Sequence, residues 1–338
     1  MTLSETPPLQ IRARVARLRA ARDLVFEEST VATGELGAQE IVAATEVSAI
    51  SPGTELAAYA GAPPLRPGRV YPRVVGYCNV GRVLAAGADA GLQRGDRILT
   101  FQSHRSHFRI PTADVIAKLP STLDGTTASV TYLFHLGYAA LLTAGYTPGM
   151  RVAVIGLGAI GVAAVLLGQA LAMDPLAVSN RAAARDGVAA HAVAVASPEE
   201  AVATKEAFFD IVVTTSNAWA DWRVALQLAR KGGRIAVLGF PGRGLPMPDF
   251  NPLDSRWLYD KQLSIVGAGQ MSERDVPPDE IRFTVPRNMD YLLGLVRGGR
   301  LRSDALISGS YPAESIVEAY EALLDRSRAA LTYVLRWS

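Results

Sequence analysis

The pattern of hydrophobic and polar positions divides the chain into two parts. From about residue 12 to 118, apolar and polar positions alternate over short runs that glycine and proline interrupt. This alternation predicts β-strands joined by turns, with strand, turn and strand over residues 76–101 and two further strands over 106–120. The basic segment at residues 11–26 predicts a solvated helix face or an edge strand. The first part therefore predicts a compact, irregular β domain.

The second part begins near residue 126, where the composition becomes rich in alanine and leucine and predicts helix. An alternation of buried strands and helices follows, which is typical of a doubly wound parallel sheet. The predicted strands lie at residues 150–156, 174–180, 208–216, 232–242 and 261–269, with helices at 159–173 and 219–230. The pattern becomes mixed after about residue 271 and ends in a predicted strand over 329–337.

Composition and charge narrow the possible functions. A chain of 338 residues exceeds one ordinary core and predicts two domains, and its content of 49% hydrophobic and 20% charged residues is typical of a globular protein. The net charge of +2, without a basic cluster, argues against nucleic-acid binding. No apolar run reaches the roughly 18 residues of a membrane span. The single cysteine fits a reducing compartment, so we expect a cytoplasmic protein.

A glycine-rich turn lies between a predicted strand and a predicted helix. Gly156, Gly158 and Gly161 have the spacing Gly-x-Gly-x-x-Gly, with Ala159 and Ile160 between the last two. The first glycine allows a tight bend, the second lets the backbone approach a pyrophosphate, and the third lets helix and strand pack closely. Amides at the helix N-terminus then stabilise the phosphate charge. In this context the turn predicts dinucleotide binding, with a purely structural turn as the alternative.

The end of the second strand of this pattern indicates which dinucleotide is bound. NAD sites usually carry Asp or Glu there, about 20 residues past the glycines, to accept hydrogen bonds from the ribose. This chain has Ser179, Asn180 and Arg181 instead, with Arg185 nearby and no acid. Serine and asparagine can hydrogen-bond a 2′-phosphate and arginine can pair with it, whereas a carboxylate would repel it. The segment therefore predicts NADPH, with an ordinary exposed loop as the alternative.

The only cysteine, Cys78, lies in the stretch GYCNVGRV. One thiol cannot form an intramolecular disulfide or a zinc site made of several cysteines. As a nucleophile it would need a nearby histidine, and the chain offers His104, His107, His135 and His191. The sequence does not place any of them beside the thiol. Cys78 is therefore predicted to be a small buried hydrophobe, with a nucleophile as the alternative.

Motifs over nearly the whole chain match those of one family. SPGTELAAYAG at residues 51–61 resembles a Cys-Gly-Thr-Asp turn, and VVGYCNVGRV at 74–83 resembles a Gly-His-Glu-x-x-Gly-x-Val stretch. AAGADAGLQRGDRI at 85–98 is similar to a Gly-x-Gly-Val and Gly-Asp-Arg-Val segment. TPGMRVAVIGLGAIG at 147–161 and ARKGGRIAVLGFPG at 229–242 resemble cofactor-domain signatures. Together these motifs resemble the medium-chain dehydrogenase/reductase family, without specifying a substrate.

This resemblance implies an α/β fold with two domains. A β-rich GroES-like catalytic domain would comprise residues 1–131 and 271–338, and a doubly wound Rossmann domain with a parallel sheet would comprise 132–270. Members of the family commonly dimerise by joining the edges of their cofactor-domain sheets. The segment KQLSIVGAG at 261–269 is the candidate edge strand. Burying it would remove the aggregation hazard of exposed strand amides, so we expect a homodimer.

The family's zinc branch binds a catalytic ion through a Cys in the first turn, the His of Gly-His-Glu, and a third ligand before the central helix. The resemblance aligns Pro52 with that Cys, Tyr77 with the His and Cys78 with the Glu, and places Tyr132 or Leu133 near the third ligand. Pro52 and Tyr77 do not support a zinc site with nitrogen and sulfur ligands. One cysteine also cannot form the family's four-cysteine structural zinc site. The resemblance therefore implies the zinc-free branch, with no metal ligands.

Without a metal ion, the substrate must be polarised by hydrogen-bond donors, and the former metal pocket is where the resemblance places them. The candidate catalytic residues are Tyr77, Thr54 and His135. The candidate pocket residues are Ser51, Glu55, Cys78 and Tyr132. The resemblance further implies cofactor contacts from Gly239, Phe240, Pro241 and Arg328. The structural alternatives are a buried hydrogen-bonded tyrosine, a turn-capping threonine, a satisfied core histidine and an ion-paired glutamate.

The sequence thus predicts a zinc-independent, NADPH-dependent oxidoreductase acting on a small molecule. Hydride would move to or from a carbonyl, an activated C=C bond or an iminium carbon, with the protein stabilising the developing charge. One alternative is a zinc-dependent alcohol dehydrogenase with atypical ligands. Another is a protein that binds NADPH without turnover. The substrate, the reacting bond and the physiological direction are not specified by the sequence.

Overall fold

A computed structural model of the chain gives the architecture. The structure describes residues 10–64, 68–242, 246–268, 271–274, 276–325, 327 and 329–338. The elements of the first half are β1 (Gln10–Ala20), β2 (Asp23–Ala32), β3 (Glu40–Ala49), α1 (Pro52–Tyr59), β4 (Arg73–Val74), β5 (Cys78–Ala86), β6 (Arg97–Thr100), β7 (His107–Pro111), β8 (Val115–Leu119), α2 (Gly125–Ser129) and α3 (Thr131–Thr143).

The elements of the second half follow α3. They are β9 (Val152–Ile155), α4 (Ala159–Ala170), β10 (Leu176–Val178), α5 (Ala182–Ala189), β11 (Val195–Ala196), α6 (Pro198–Lys205), β12 (Phe209–Thr214), α7 (Trp219–Leu228), β13 (Ala229–Val237), β14 (Ser264–Gly267), α8 (Val285–Arg297), β15 (Ile307–Pro312), α9 (Ile316–Leu324) and β16 (Thr332–Arg336). Within the described ranges, none of the helices has the length and apolar character needed to cross a membrane.

The basic segment near the amino terminus forms a β-hairpin. β1 pairs antiparallel with β2 over its whole length, and β4 pairs with the other side of β1. Ala16 and Leu18 are buried, while Arg17 between them pairs with Glu27 at 2.8 Å. This period of two is that of a strand with one buried face. The predicted helix face was wrong and the predicted strand was correct, although β1 lies between β2 and β4 in the sheet, with β4 pairing only at Arg17 and Leu18.

A larger sheet joins both ends of the chain. In the part of the chain that the structure describes, its strands follow the order β15-β16-β3-β5-β6-β8, and β7 also pairs with β3. The predicted strand, turn and strand over residues 76–101 is confirmed as β5 and β6, and the predicted terminal strand is β16. The strands predicted over 106–120 exist as β7 and β8, but they pair with β3 and β6 instead of each other.

The second sheet is parallel and doubly wound. Its strand order is β11-β10-β9-β12-β13-β14, and each neighbouring pair is parallel. Numbered along the chain, this order is 3-2-1-4-5-6, which is that of a dinucleotide-binding sheet. The order reverses between β9 and β12, and ligands bind in the crevice outside the carboxyl ends of the strands at such a point. The predicted combination of a β-rich GroES-like domain and a Rossmann domain is confirmed.

Helix α3 connects the two sheets. Its residues Leu133 and Phe134 are fully buried in one apolar core together with Leu99 of β6 and Val154 of β9. Burying each such side chain contributes about 1.5–3 kcal/mol. Gly137 lets α3 approach α4, since a Cβ at this position would lie 2.9 Å from the Ala164 Cα. This close packing fixes α3 relative to the turn at the start of α4.

Candidate functional site

Three hydroxyl groups meet where β3 ends and β5 begins. The Ser51 Oγ and the Tyr77 hydroxyl form a short hydrogen bond, and the Thr54 side chain also hydrogen-bonds Tyr77. Ser51 is fully buried, whereas Thr54 and Tyr77 are partly exposed. The structure thus brings together three residues that the sequence singled out, and we call them the hydroxyl cluster.

The pairing of β3 with β5 produces this cluster. Ala49 lies opposite Cys78 in the antiparallel ladder, so Ser51 and Tyr77 extend the two strands from the same end of the sheet. Gly76, at a φ of +90°, turns the chain into β5. A Cβ on Gly76 would lie 2.7 Å from the ring of His104. Glycine is therefore required here both for its backbone angle and for the space.

A series of ring contacts leads from the Tyr77 side chain through Tyr132 to Phe101 and His135. The ring of Tyr132 contacts Tyr77 edge-on at 5.8 Å between centroids, contacts Phe101 at 4.7 Å, and stacks on His135 at 5.3 Å. Leu133 is instead buried in the apolar core. Tyr132, rather than Leu133, therefore faces Tyr77. Edge-to-face and stacked contacts of this kind hold rings in fixed orientations.

His135 is a buried, neutral imidazole. Asn288 Nδ2 donates to its Nε2 at 3.3 Å, and its Nδ1 has no hydrogen-bond partner among the described residues. Burial lowers the pKa of His135 to about 4, because a charged ring would lose its hydration. The ring is therefore uncharged at neutral pH. With Nε2 accepting, its one proton lies on Nδ1.

Burial also determines the electrostatics of Tyr77 and Cys78. Burial is the largest cause that raises the pKa of Tyr77. The charges of Cys78 and Glu55 raise this pKa further, whereas hydrogen bonds with Ser51 and Thr54 lower it. The pKa of the Cys78 thiol is raised by burial and by Glu55. The phenol is therefore protonated at neutral pH. The raised thiol pKa opposes the thiolate that a nucleophilic cysteine requires.

Glu55 lies behind the hydroxyl cluster. Its side chain was predicted to line the pocket, but the residue is only 3% exposed. Its carboxylate accepts hydrogen bonds from the Ser51 N–H at 2.6 Å and from the Tyr320 hydroxyl, and lies 2.8 Å from His104 Nε2. These partners draw the carboxylate inward, because a buried charge requires hydrogen-bond donors.

The glycine turn forms an open cradle at the start of α4. Gly156 has a φ of +91°, which favours glycine, and a Cβ on Gly161 would overlap the Gly156 carbonyl oxygen. A Cβ on Gly158 would meet nothing within 4 Å, so the backbone is open to an approaching ligand at this position. Ala159 and Ile160 begin the helix. The turn therefore fits a pyrophosphate bound by helix N-terminal amides.

Polar and basic residues line the carboxyl end of β10. The Ser179 Oγ accepts a hydrogen bond from the Arg181 N–H at 3.2 Å, and Arg185 Nη1 donates to the Ser179 carbonyl at 2.6 Å. Ser179 is buried, while Asn180 and Arg181 are exposed. The structure thus groups these four residues at the end of the strand beside the glycine turn.

Two further loops border the same crevice. Thr215, directly after β12, donates through Oγ1 to the Gly156 carbonyl at 2.8 Å. Asn217 Oδ1 accepts a hydrogen bond from the Phe240 N–H at 2.9 Å. The segment 239–241 therefore lies beside the loop that follows β12, at the carboxyl ends of neighbouring strands.

Several residues of these sites were not found from the sequence. Thr215 and Asn217 follow a buried strand, and the strand order could have placed them beside the glycines. No sequence pattern pointed to His104 or Tyr320, because nothing in the sequence places them against α1. Arg328, the predicted phosphate contact, lies outside the described residues.

Known proteins resemble this chain in sequence and in structure. Sorbitol dehydrogenase of Bacillus subtilis (strain 168) is 23% identical over 221 residues, which cover 63% of this chain and 57% of that protein. NADP-dependent alcohol dehydrogenase C 1 of Mycolicibacterium smegmatis is 33% identical over 112 residues, 32% of each chain. The structure of L-idonate 5-dehydrogenase from Escherichia coli has a TM-score of 0.79 at 15% identity, covering 97% of this chain and 99% of that one. No protein-family model matches the chain.

The motifs, the strand order and these relatives agree with one another. The sequence and structure neighbours of the chain are dehydrogenases of the medium-chain dehydrogenase/reductase superfamily. Its alignment to sorbitol dehydrogenase spans only 57% of that protein's length. The likeness to L-idonate 5-dehydrogenase, at 15% identity, shows the fold. This resemblance makes both the cofactor site and a zinc site relevant to the residues described above.

The residues at the superfamily's zinc positions do not fit a zinc ion. The positions that resemble the ligand positions hold Pro52, Tyr77 and Tyr132, which are a proline ring and two phenols in place of nitrogen and sulfur donors. Within the described ranges, no group of three or more His, Cys, Asp or Glu side chains could hold a metal ion. Glu55 and His104, the nearby carboxylate and imidazole, hydrogen-bond each other. We therefore derive no chemical step through a metal.

A pair of glycine substitutions tests the geometry of the phosphate turn. Gly161→Ala should lower the free energy of unfolding by about 1–3 kcal/mol, because the new methyl group overlaps the Gly156 carbonyl. Gly158→Ala should leave stability nearly unchanged but weaken dinucleotide binding, because its methyl group would occupy the open space of the cradle. Urea unfolding and NADPH titration measure both effects. Equal stability of the two variants would contradict this geometry.

Proposed function

We propose that this protein is a metal-independent, NADPH-linked oxidoreductase. It would transfer hydride between the cofactor and a carbonyl, an activated C=C bond or an iminium carbon of a small organic substrate. The observation that carries this proposal is the hydroxyl cluster of Ser51, Thr54 and Tyr77 near the superfamily's metal-ligand positions. Residues 132–270 would form the cofactor domain, and 1–131 with 271–338 the substrate domain.

The chain's own residues provide a site for the dinucleotide. The open turn at Gly158 and the N-terminus of α4 would bind the pyrophosphate. The loops at Thr215 and 239–241 border the crevice where the nicotinamide end would lie. The bound nicotinamide would supply or accept the hydride. The protein's part is to hold the reacting carbon near the ring and to stabilise charge as it develops.

Four residues at the end of β10 favour NADPH over NADH. Ser179 and Asn180 can hydrogen-bond a 2′-phosphate, and Arg181 and Arg185 supply positive charge. A carboxylate at this position would select the ribose hydroxyls of NADH instead. The name of one relative, the NADP-dependent alcohol dehydrogenase C 1 of Mycolicibacterium smegmatis, supports the same cofactor.

Tyr77 is the proposed proton donor. Its phenol remains protonated at neutral pH, so it can donate to the oxygen that becomes negative during reduction of a carbonyl or an enone. Ser51 and Thr54 can then donate to the Tyr77 oxygen and stabilise the phenolate that forms. The Nδ1–H of His135 is a second possible donor, because it has no partner among the described residues. Oxidation of an alcohol would run through the same groups in reverse.

NADPH should bind more tightly than NADH. One charge-assisted contact to the 2′-phosphate is worth roughly 1.5–3 kcal/mol, which corresponds to about ten-fold or more in affinity. Ser179→Asp should reverse the preference, because the new carboxylate would repel the phosphate. Fluorescence titration of both cofactors measures the two dissociation constants. Equal or tighter binding of NADH to the wild-type protein would refute the assignment.

Turnover should survive exhaustive chelation and depend strongly on Tyr77. Loss of one such donor costs about 10²–10³ in kcat at comparable sites, so we expect Tyr77→Phe to lower kcat by this factor while NADPH binding changes little. His135→Ala should be the next most harmful change, and Cys78→Ala should retain most activity. A panel of carbonyl, enone and imine substrates provides the assay.

Three results would contradict this mechanism. Activity restored to a chelated protein by added zinc would favour the zinc-dependent alcohol dehydrogenase. Wild-type kcat in both Tyr77→Phe and His135→Ala would leave Thr54 or water as the proton source. NADPH binding without consumption over the whole substrate panel would favour a binding protein that has no turnover.

The edge of the parallel sheet supports a homodimer. β14 is the last strand in the sheet order, and the segment before it exposes Leu253 and Tyr259, at 61% and 80%. An exposed edge strand beside exposed apolar side chains is a hazard that pairing with a second copy removes. We propose that two copies associate through this edge.

Light scattering should give the mass of a dimer at micromolar concentration. Leu253→Asp with Tyr259→Asp should shift the protein toward monomer, because both substitutions place charge in the proposed interface. Val317→Asp, which alters another exposed apolar residue on α9, serves as the matched control and should leave the mass unchanged. A monomeric wild-type protein at this concentration would contradict the proposal.

A further inference from the structure

A buried hydrogen-bond network continues behind the hydroxyl cluster. The Glu55 carboxylate contacts the Ser51 N–H through Oε1, and His104 Nε2 and the Tyr320 hydroxyl through Oε2. His104 and Tyr320 are fully buried and Glu55 is 3% exposed, so the carboxylate has lost nearly all of its hydration. A carboxylate in this position is stable only while its donors remain in place.

The hydrogen bonds of this network fit a neutral His104 that carries its proton on Nε2. Trp337 Nε1–H can only donate, and it donates to Ser48 Oγ at 2.9 Å. The Ser48 hydroxyl can then donate to His104 Nδ1, 2.8 Å away. His104 in turn carries its proton on Nε2 and donates to Glu55. With a neutral imidazole and an ionised Glu55, each of these contacts joins one donor to one acceptor.

The same network determines where the Ser51 hydroxyl lies. Glu55 binds the backbone N–H of Ser51, and the hydroxyl of the same residue bonds to Tyr77. Ser51 is therefore held at its backbone by the Glu55 carboxylate and at its hydroxyl by Tyr77. Among the described residues, no hydrogen bond joins this carboxylate directly to the Tyr77 oxygen. A displacement of about 1 Å at such a position can cost on the order of a hundred-fold in rate.

We propose that Glu55 and His104 are positioning residues that fix the Ser51 hydroxyl against Tyr77, with the Glu55 carboxylate also acting on this phenol. The inference rests on the proposed function, in which Tyr77 is the proton donor. Other titratable or charged groups also act on this region: Cys78, Tyr132 and Tyr320, with Arg73 acting on Tyr320 and Glu273 on Tyr132. Cys78 and Glu55 both raise the pKa of the Tyr77 phenol, and Glu55 is the one whose carboxylate also binds the Ser51 N–H.

Two buried tyrosines provide a matched comparison. The rings of Tyr59 and Tyr320 contact each other at 5.3 Å between centroids, and both are almost fully buried. The Tyr320 hydroxyl donates to Glu55, whereas the Tyr59 hydroxyl donates to Glu321 at 2.8 Å. Tyr320→Phe and Tyr59→Phe therefore remove the same group from the same core. A purely structural role predicts equal effects, and the proposal predicts that Tyr320→Phe alone alters the behaviour of Tyr77.

The decisive experiment follows ionisation of Tyr77 by NMR. Protein labelled with ¹³C at tyrosine Cζ is titrated toward alkaline pH, and the Tyr77 signal is assigned with Tyr77→Phe. Glu55→Gln should lower the pH at which this phenol ionises by about one unit or more, because a neighbouring negative charge is lost. Tyr320→Phe should shift the same titration measurably, and Tyr59→Phe should not. Unchanged titration in Glu55→Gln would overturn the inference.

His104 has its own test with a rescue. His104→Leu removes the donor to Glu55 and should lower kcat about ten- to hundred-fold with little change in KM. His104→Gln retains an N–H donor near the position of Nε2 and should recover most of that loss. ¹⁵N-histidine NMR of the wild-type protein should show a neutral His104 with its proton on Nε2, even if a variant fails to fold. An imidazolium or a proton on Nδ1 would overturn the assignment.

The readouts separate the two proposals. The wild-type protein could show no turnover while Glu55→Gln lowers the pH at which Tyr77 ionises and His104 carries its proton on Nε2. That result would contradict the proposed function alone. Normal wild-type turnover, with an unchanged phenol titration or with equal effects of Tyr320→Phe and Tyr59→Phe, would contradict the positioning role alone.

Discussion

The candidate site depends above all on the register between β3 and β5. Ala49 opposite Cys78 places Ser51 beside Tyr77 at the end of the sheet. Side chains alternate along a strand, so a slip of one residue would turn Tyr77 to the opposite face. The thiol of Cys78 would then take its place. Gly76 supports this register, because only glycine combines its backbone angle with the space left by His104.

This register brings hydroxyl groups together in the candidate site. Near the positions where the superfamily's zinc branch has metal ligands, this chain has phenols and a hydroxyl, which in the proposed mechanism polarise the substrate as neutral donors. A neutral donor acts only if its proton is held in place and its oxygen is oriented. Both requirements are met by contacts to the phenol: Ser51 and Thr54 bond to it, and the Glu55 carboxylate lies behind them.

The sequence predicted the parts of this account that rest on local patterns. The strand, turn and helix at the glycines and the doubly wound sheet were correct, because each depends on patterns of residues close together in the chain. The sequence left segment 11–26 open between a helix face and an edge strand, because alternating arginines fit several solvated elements and only the pairing with β2 distinguishes them. The partners of Glu55 could not be predicted, since His104 and Tyr320 lie 49 and 265 positions away from it.

The central claim is that a hydroxyl group of the protein, and not a metal ion, contacts the reacting group of the substrate. A crystal structure of the protein with NADP⁺ and a bound substrate or product, grown with zinc in the medium, tests it most directly. The account predicts the substrate's oxygen or nitrogen within hydrogen-bond distance of the Tyr77 hydroxyl, about 2.5–3.0 Å for an oxygen, with no ion between them. An ion bound between the substrate and Tyr77, or a reacting group that faces away from the hydroxyl cluster, would contradict it.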